Sequence, residues 1–172
     1  MTSVDKKAMQ PNPFARYGAT KLVQGSVVQP ELSGLRLIFS PCIEWASDRK
    51  PSFDGLPLLD LMAKKWPQVK VELKGWFAER VGFKLGSLKN TITQSDVQVV
   101  HALVFDKDGK LNEKALTTCL KKLVEQAKYE KASLHVSSLT TEAIPQLTDM
   151  LQKQAIEQGV AVYYYTEKSK TA

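Results

Sequence analysis

The sequence predicts an α/β domain, and three observations carry that reading. From Lys21 onward, short apolar runs alternate with segments of helical period, the pattern of strands interleaved with helices rather than segregated from them. Runs such as Val99-Val-His-Ala-Leu-Val-Phe105 are apolar almost without interruption, as strands covered on both faces require. The chain has 172 residues, 43% hydrophobic and 24% charged, enough to close one sizeable core. That balance excludes wholesale disorder, a coiled-coil or collagen-like rod and a disulfide-built miniprotein.

Along the chain, residues 1–20 are polar and carry Pro11 and Pro13, so they read as an extended arm. Residues 21–167 form the predicted domain and 168–172 a short tail. Strands are expected at Lys21–Gln24, Leu35–Ser40, Lys84–Thr93, Val97–Phe105, Ser133–Ser137 and Val160–Thr166. Asp54 is placed to cap a helix with Pro57 in its first turn, burying Leu58, Leu59, Leu61, Met62 and Trp66. A second helix, Val69–Arg80, sets Val69, Leu73, Trp76 and Phe77 on one stripe. The third, Glu113–Lys131, repeats Ala115, Leu116, Cys119, Leu120, Leu123, Val124 and Ala127 on one face with lysines opposite. The last helix is expected over Thr141–Gln158, presenting Ile144, Leu147, Leu151 and Ala155, with Gly159 as its left-handed stop.

Charge and cysteine content narrow the chemistry. The net charge of +6 comes from 24 basic against 18 acidic residues, and only four of the basic ones are arginine: Arg16, Arg36, Arg49 and Arg80. Phosphate and base recognition lean on the guanidinium fork, so a solvated lysine surface is the preferred reading over a nucleic-acid-reading face. Cys42 and Cys119 lie in no metal-ligand spacing and read as buried free thiols. With only His101 and His135 beside them, no metal site is expected. No run approaches the ~20 apolar residues of a membrane span. The first ten residues carry lysines with no apolar run behind them, so neither a signal peptide nor an anchor is read there. A cytoplasmic location is the expectation.

Six segments in succession carry a resemblance. They are Ala63-Lys-Lys-Trp-Pro67, Leu85-Gly86 opening a strand, VVHALVF, then LNEKALTTCLKKLVEQA, SLHV, and VAVYYYT closing the domain. In order and spacing this resembles a macro domain, the module whose members bind ADP-ribose and sometimes hydrolyse its conjugates. The resemblance spans about Lys21 to Thr166. It implies a three-layer α/β/α sandwich with a mixed central sheet.

Residue by residue, the resemblance is uneven. Where the family places an acidic residue after the first-strand glycine, to hold the adenine amine, this chain has Gly25-Ser26, a hydroxyl without charge. The stretch Ser40–Gly55, matching the first loop, holds one glycine, Gly55, where the family shows several. Its carboxylates Asp48 and Asp54 are the weak candidates for a catalytic role, with Glu44 nearby, and Asp54 reads better as a helix cap.

The second loop departs most. In place of the family's glycine-rich turn the sequence reads Ser137-Ser-Leu-Thr-Thr-Glu-Ala-Ile144, without glycine and several residues shorter. A diphosphate approaches main-chain amides only where side chains leave room. The cradle is therefore expected to be missing or rebuilt from Ser137, Ser138, Thr140 and Thr141. Tyr165, closing the last strand, matches an aromatic that stacks on adenine in the family, beside a base slot at Val27 and Val28.

Other signals have ordinary readings. Asp106-Lys-Asp-Gly109 has its glycine fourth rather than sixth, and so reads as a polar turn and not a calcium loop. His101 and His135 read as core histidines with no nucleophile visibly paired. Trp45 beside Arg49 and Lys50 is either an exposed contact anchor or a side chain folded back.

Three functions follow. The preferred one is a degenerate, non-catalytic macro domain kept as an interaction or assembly module, with a protein partner and with nucleic acid left open through the lysine surface. The second is ADP-ribose or nucleotide binding by a rebuilt pocket. The third is an ADP-ribosyl hydrolase, for which the preorganised donors are wanting. No cofactor is expected.

Overall fold

The computed structural model describes residues 18–167 apart from 32 and 53–55. The expected tail, most of the expected arm, and Asp54 and Gly55 lie outside the described residues. Six strands form one sheet: β1 (Thr20–Val23), β2 (Arg36–Ile43), β3 (Leu88–Gln94), β4 (Val97–Phe105), β5 (Ser133–Ser137) and β6 (Val162–Tyr165). Their spatial order is β1-β6-β5-β2-β4-β3. Every pair is parallel except β3 with β4, whose antiparallel hairpin makes the sheet mixed.

Helices α1 (Pro57–Lys65) and α2 (Pro67–Glu79) cover one face. On the other lie α3 (Glu113–Glu130) and α5 (Leu147–Gln154), and the short α4 (Ser138–Ala143) follows β5 directly. The layers follow from strand alternation. Leu37, Phe39, Val100, Ala102, Val104, Leu134 and Val136 point toward α3, whose buried residues are the seven its periodicity predicts. Ile38, Cys42, Val99, Leu103, Tyr163 and Tyr165 point toward Leu59, Met62, Leu73 and Trp76 of α1 and α2. Cys42 and Cys119 are therefore free thiols on opposite faces.

Four expectations are corrected. The predicted helix Thr141–Gln158 is broken: α4 ends at Ala143, a turn holds Pro145, α5 starts at Leu147, and a single 3-10 turn covers Ile156–Gln158. Proline has no amide to donate and its ring collides with the carbonyl four residues back, so a helix cannot run through Pro145 unbroken. Gly159 does end the segment in the left-handed conformation, φ 92°. The cap of α1 is Leu56, with no side-chain cap bond, and Pro57 supplies the preset first-turn angle instead. Leu85-Gly86 opens no strand. Lys84–Ser87 is a turn, with Gly86 at φ 90° and its amide on the Leu103 carbonyl, and β3 begins at Leu88. Strand β2 also runs on to Ile43, through Pro41.

Gly18 closes the fold at its start. Its amide donates to the Ile156 carbonyl, and any side chain there would collide with the Val160 carbonyl. No helix among the described residues is long and apolar enough to cross a membrane.

Candidate functional site

In an open sheet with parallel strands, ligands bind beyond the carboxyl ends, where neighbouring strands send their connections in opposite directions. Here that point lies between β2 and β5. From β2 the chain leaves toward α1, α2 and the β3–β4 side, whereas from β5 it leaves through α4 and α5 toward β6. The two strands pair only over Arg36–Ile38 and Ser133–His135, although β2 stays paired with β4 as far as Ile43. They part toward their carboxyl ends and open the crevice.

Three segments reach this mouth. The first is the β1–β2 connection, where Gly25-Ser26 opens a turn closed by the Gln29 amide on the Ser26 carbonyl. Ser26 Oγ accepts from the Val28 amide at 3.3 Å, Val27 is fully buried, and Lys65 Nζ donates to the Val28 carbonyl at 2.8 Å. The second is the β5–α4 junction. Ser137 is both the last strand residue and the cap of α4, its Oγ accepting from the Leu139 amide at 3.1 Å. Thr141 Oγ1 donates to the Ser138 carbonyl, and Thr140 is buried with its hydroxyl unpartnered among the described residues.

The third segment is the exit of β6. Tyr165 is 1% exposed, and its hydroxyl accepts from the Glu31 amide at 2.9 Å while lying 2.6 Å from His135 Nδ1. The other ring nitrogen, Nε2, lies 2.7 Å from Ser133 Oγ, so both nitrogens of His135 have hydroxyl partners. Burial, helped by the nearby Arg36, pushes the His135 pKa down to about 3, so the imidazole stays neutral. Burial likewise raises the Tyr165 phenol to about 12. Two residues on, the Glu167 carboxylate accepts from the Val27 amide and from Ser137 Oγ, both at 2.9 Å, and its own amide donates to Ser138 Oγ at 3.0 Å.

The structure thus brings together Gly25, Ser26, Val27, Ser137, Ser138, Thr140, Thr141 and Tyr165, residues from three distant stretches of sequence. Asp48 is not among them. It is exposed in the turn that the Arg49 amide closes on the Ala46 carbonyl. Glu44 is engaged elsewhere, accepting from the Leu85 amide at 3.1 Å. Sequence reasoning missed Glu167 and the Tyr165–His135–Ser133 chain. The one available signal for Glu167 was its place, two residues past a parallel strand at the crevice end of the sheet.

A second polar cluster lies deeper, between β2, β3 and β4. His101 Nδ1 is 3.4 Å from Ser40 Oγ and 3.8 Å from Cys42 Sγ, and its Nε2 is 3.2 Å from Thr91 Oγ1. A cysteine and a serine are therefore paired with this histidine after all. All four side chains are fully buried, however, and burial drives the thiol up to about 12 and the imidazole down to about 3. Both shifts favour the neutral pair, the opposite of an activated thiolate. Trp45 is folded back: 5% exposed, it stacks on Phe83 and meets the edge of Phe77, and its carbonyl accepts from Arg80. The exposed-anchor reading of Trp45 is set aside. No group of three or more metal-ligating side chains occurs among the described residues.

Among solved structures, a macrodomain protein from Streptomyces coelicolor superimposes with a TM-score of 0.72 at 18% identity, covering 87% of this chain and 99% of its own. The chain has the macrodomain fold. A protein of unknown function from Bacteroides thetaiotaomicron is similar at a TM-score of 0.71 and 19% identity, over 88% of this chain and 99% of that one. Another from the same organism matches at 0.66 and 20%, over 86% and 99%. No protein-family model and no curated protein matches the sequence. At such identities the macrodomain likeness speaks for the fold alone, and function rests on the site.

Proposed function

We propose that the chain is a non-catalytic macrodomain serving as an interaction or assembly module, with its ancestral nucleotide cleft closed. The observation that carries this reading is the direct passage of β5 into α4. Ser137 ends the strand and caps the helix, so no stretch of main chain is left between them to turn amides toward a diphosphate. Hydrolysis of an ADP-ribosyl bond needs donors fixed in advance where charge develops. Here the Ser137, Ser138, Thr141 and Tyr165 hydroxyls are already engaged within the chain. Asp48 is exposed to solvent. A cavity of about 520 Å³, between Leu35, Lys131 and Val160, sits at the amino ends of the strands.

Calorimetric titration with ADP-ribose tests the reading: no heat at millimolar ligand is expected, and no turnover of an ADP-ribosylated protein. The rival is ADP-ribose binding by a pocket rebuilt from Ser137, Ser138, Thr140 and Thr141. It draws support from the fold likeness and from the buried Thr140 hydroxyl, which has no partner among the described residues. Micromolar affinity lost in Ser138→Ala would establish it. Hydrolysis abolished by Asp48→Ala or Asp54→Ala would instead make the chain an enzyme.

A further inference from the structure

At the mouth of the cleft one carboxylate bonds to two separate segments. We infer that Glu167 is a built-in latch: its carboxylate occupies a niche for one carboxylate group, formed by the Val27 amide and the Ser137 hydroxyl, and an incoming carboxylate can take its place. The inference rests on the closed-cleft reading and deepens it by naming what the niche accepts.

One residue ties the β1–β2 connection to the β5–α4 junction, two segments that share no strand pairing with each other. The same oxygen, Oε2, accepts from Val27 N and Ser137 Oγ, and the Glu167 amide reaches Ser138 Oγ. Val27 and Ser137 are fully buried, so loss of the carboxylate removes from the Val27 amide the acceptor that it has in the fold. An unpaired buried amide is costly, and a bond to a charged acceptor is about twice as strong as a neutral one. The partners are 140 and 30 residues away from Glu167, so the contact is tertiary and not a local turn. Its neighbour acts in the same sense: Tyr165 holds the Glu31 amide, and together the two residues pin both halves of the β1–β2 connection over the crevice that the parting of β2 and β5 leaves. Thr166 also donates to the Val23 carbonyl, so release of Glu167 frees the carboxylate while β6 stays docked.

The test uses the full chain, Glu167→Ala, with Glu167→Asp as the shorter carboxylate. In the wild type the Val27 amide should exchange slowly with solvent. In Glu167→Ala its protection should fall tenfold or more, with an intermediate loss in Glu167→Asp. Acetate at tens of millimolar should restore protection and thermal midpoint to Glu167→Ala and leave the wild type unmoved. Equal Val27 exchange in wild type and Glu167→Ala, or no response of the variant to acetate, overturns the latch. ADP-ribose separates the two readings. Binding to neither chain, with acetate rescue, supports both. Binding to Glu167→Ala alone supports the latch. Equal binding to both overturns latch and closed cleft together, and acetate failure without any ADP-ribose binding overturns the latch alone.

Discussion

The two faces of the sheet are held by different chemistry. Toward α3 and α5 the strands present aliphatic and aromatic side chains almost exclusively, from Leu37 and Phe39 to Val100, Val104, Leu134 and Val162. Among the described residues, the buried polar strand residues Ser40, Thr91, His101, Ser133, His135 and Ser137 all fall by alternation on the α1–α2 side. An apolar face gains from area and tolerates modest rearrangement, whereas buried polar groups stabilise only while each donor finds its acceptor. The polar face is also the one whose groups reach the crevice, through Ser137 and Tyr165. Site and hydrogen-bonded core are thus continuous on this side, and the α3 side acts as their backing.

The sharpest way to separate the faces is to cut into the backing. Leu120 is fully buried in the middle of α3. Leu120→Ala should cost about 2–5 kcal/mol, read from urea unfolding, through lost transfer energy and the cavity left behind. Val27 amide exchange measured well below the unfolding transition should stay as slow relative to the global opening as in the wild type. A loss below about 1 kcal/mol would mean that the apolar face repacks freely, and the contrast drawn between the faces would fail.

Acid probes the other face. His101 and His135 each have a folded pKa lowered to about 3 against an ordinary 6.5, with burial as the main cause. Between those values the unfolded chain binds a proton that the folded one refuses, so stability is fully present above pH 6.5 and drains as pH falls toward 3. From pH 7 to pH 5 the loss should reach at most about 2 kcal/mol for each histidine, by the linkage of ~1.4 kcal/mol per pH unit. Urea midpoints across that range should show it, and His135→Gln should lower the slope by up to one proton. An unchanged slope would place the protonation elsewhere.

The same division explains what the sequence disclosed. Helix α3 is legible because its apolar residues recur on one stripe and Asn112, accepting from the Ala115 amide, caps it locally. Strands β4 and β5 are legible for the same reason, as local patterns matching the observed bounds. Pro145 carried a clear signal that a continuous apolar stripe masks. The ends of α2 and α3 fall on Arg80 and Lys131 in the left-handed conformation, where no glycine marks them. On the site, the sequence supplied Gly25 to Val27, Ser137 to Thr141 and Tyr165 as neighbours, through the resemblance and not through any local pattern. What gives those residues their partners, Glu167 on Val27 and His135 on Tyr165, joins positions 140 and 30 apart. Periodicity carries no information about such pairs. Trp45 was undecided for the same reason, since Phe77 and Phe83, which enclose it, lie a helix away.

The smallest expected effect is also the most discriminating within the polar face. Thr91 is fully buried, and its Oγ1 is the group facing His101 Nε2 at 3.2 Å. Thr91→Val keeps the branched shape that suits a strand and removes only the hydroxyl, leaving Nε2 without its partner. A cost of about 1–2 kcal/mol in urea unfolding is expected from one lost bond and one unsatisfied nitrogen. Because the His101 cluster is confined to β2, β3 and β4, the variant should leave Val27 exchange, and thus the Glu167 contact, as it is in the wild type. A faster Val27 amide in Thr91→Val would mean that the two histidine clusters act as one network, linked through Ser40 and the parted ends of β2 and β5.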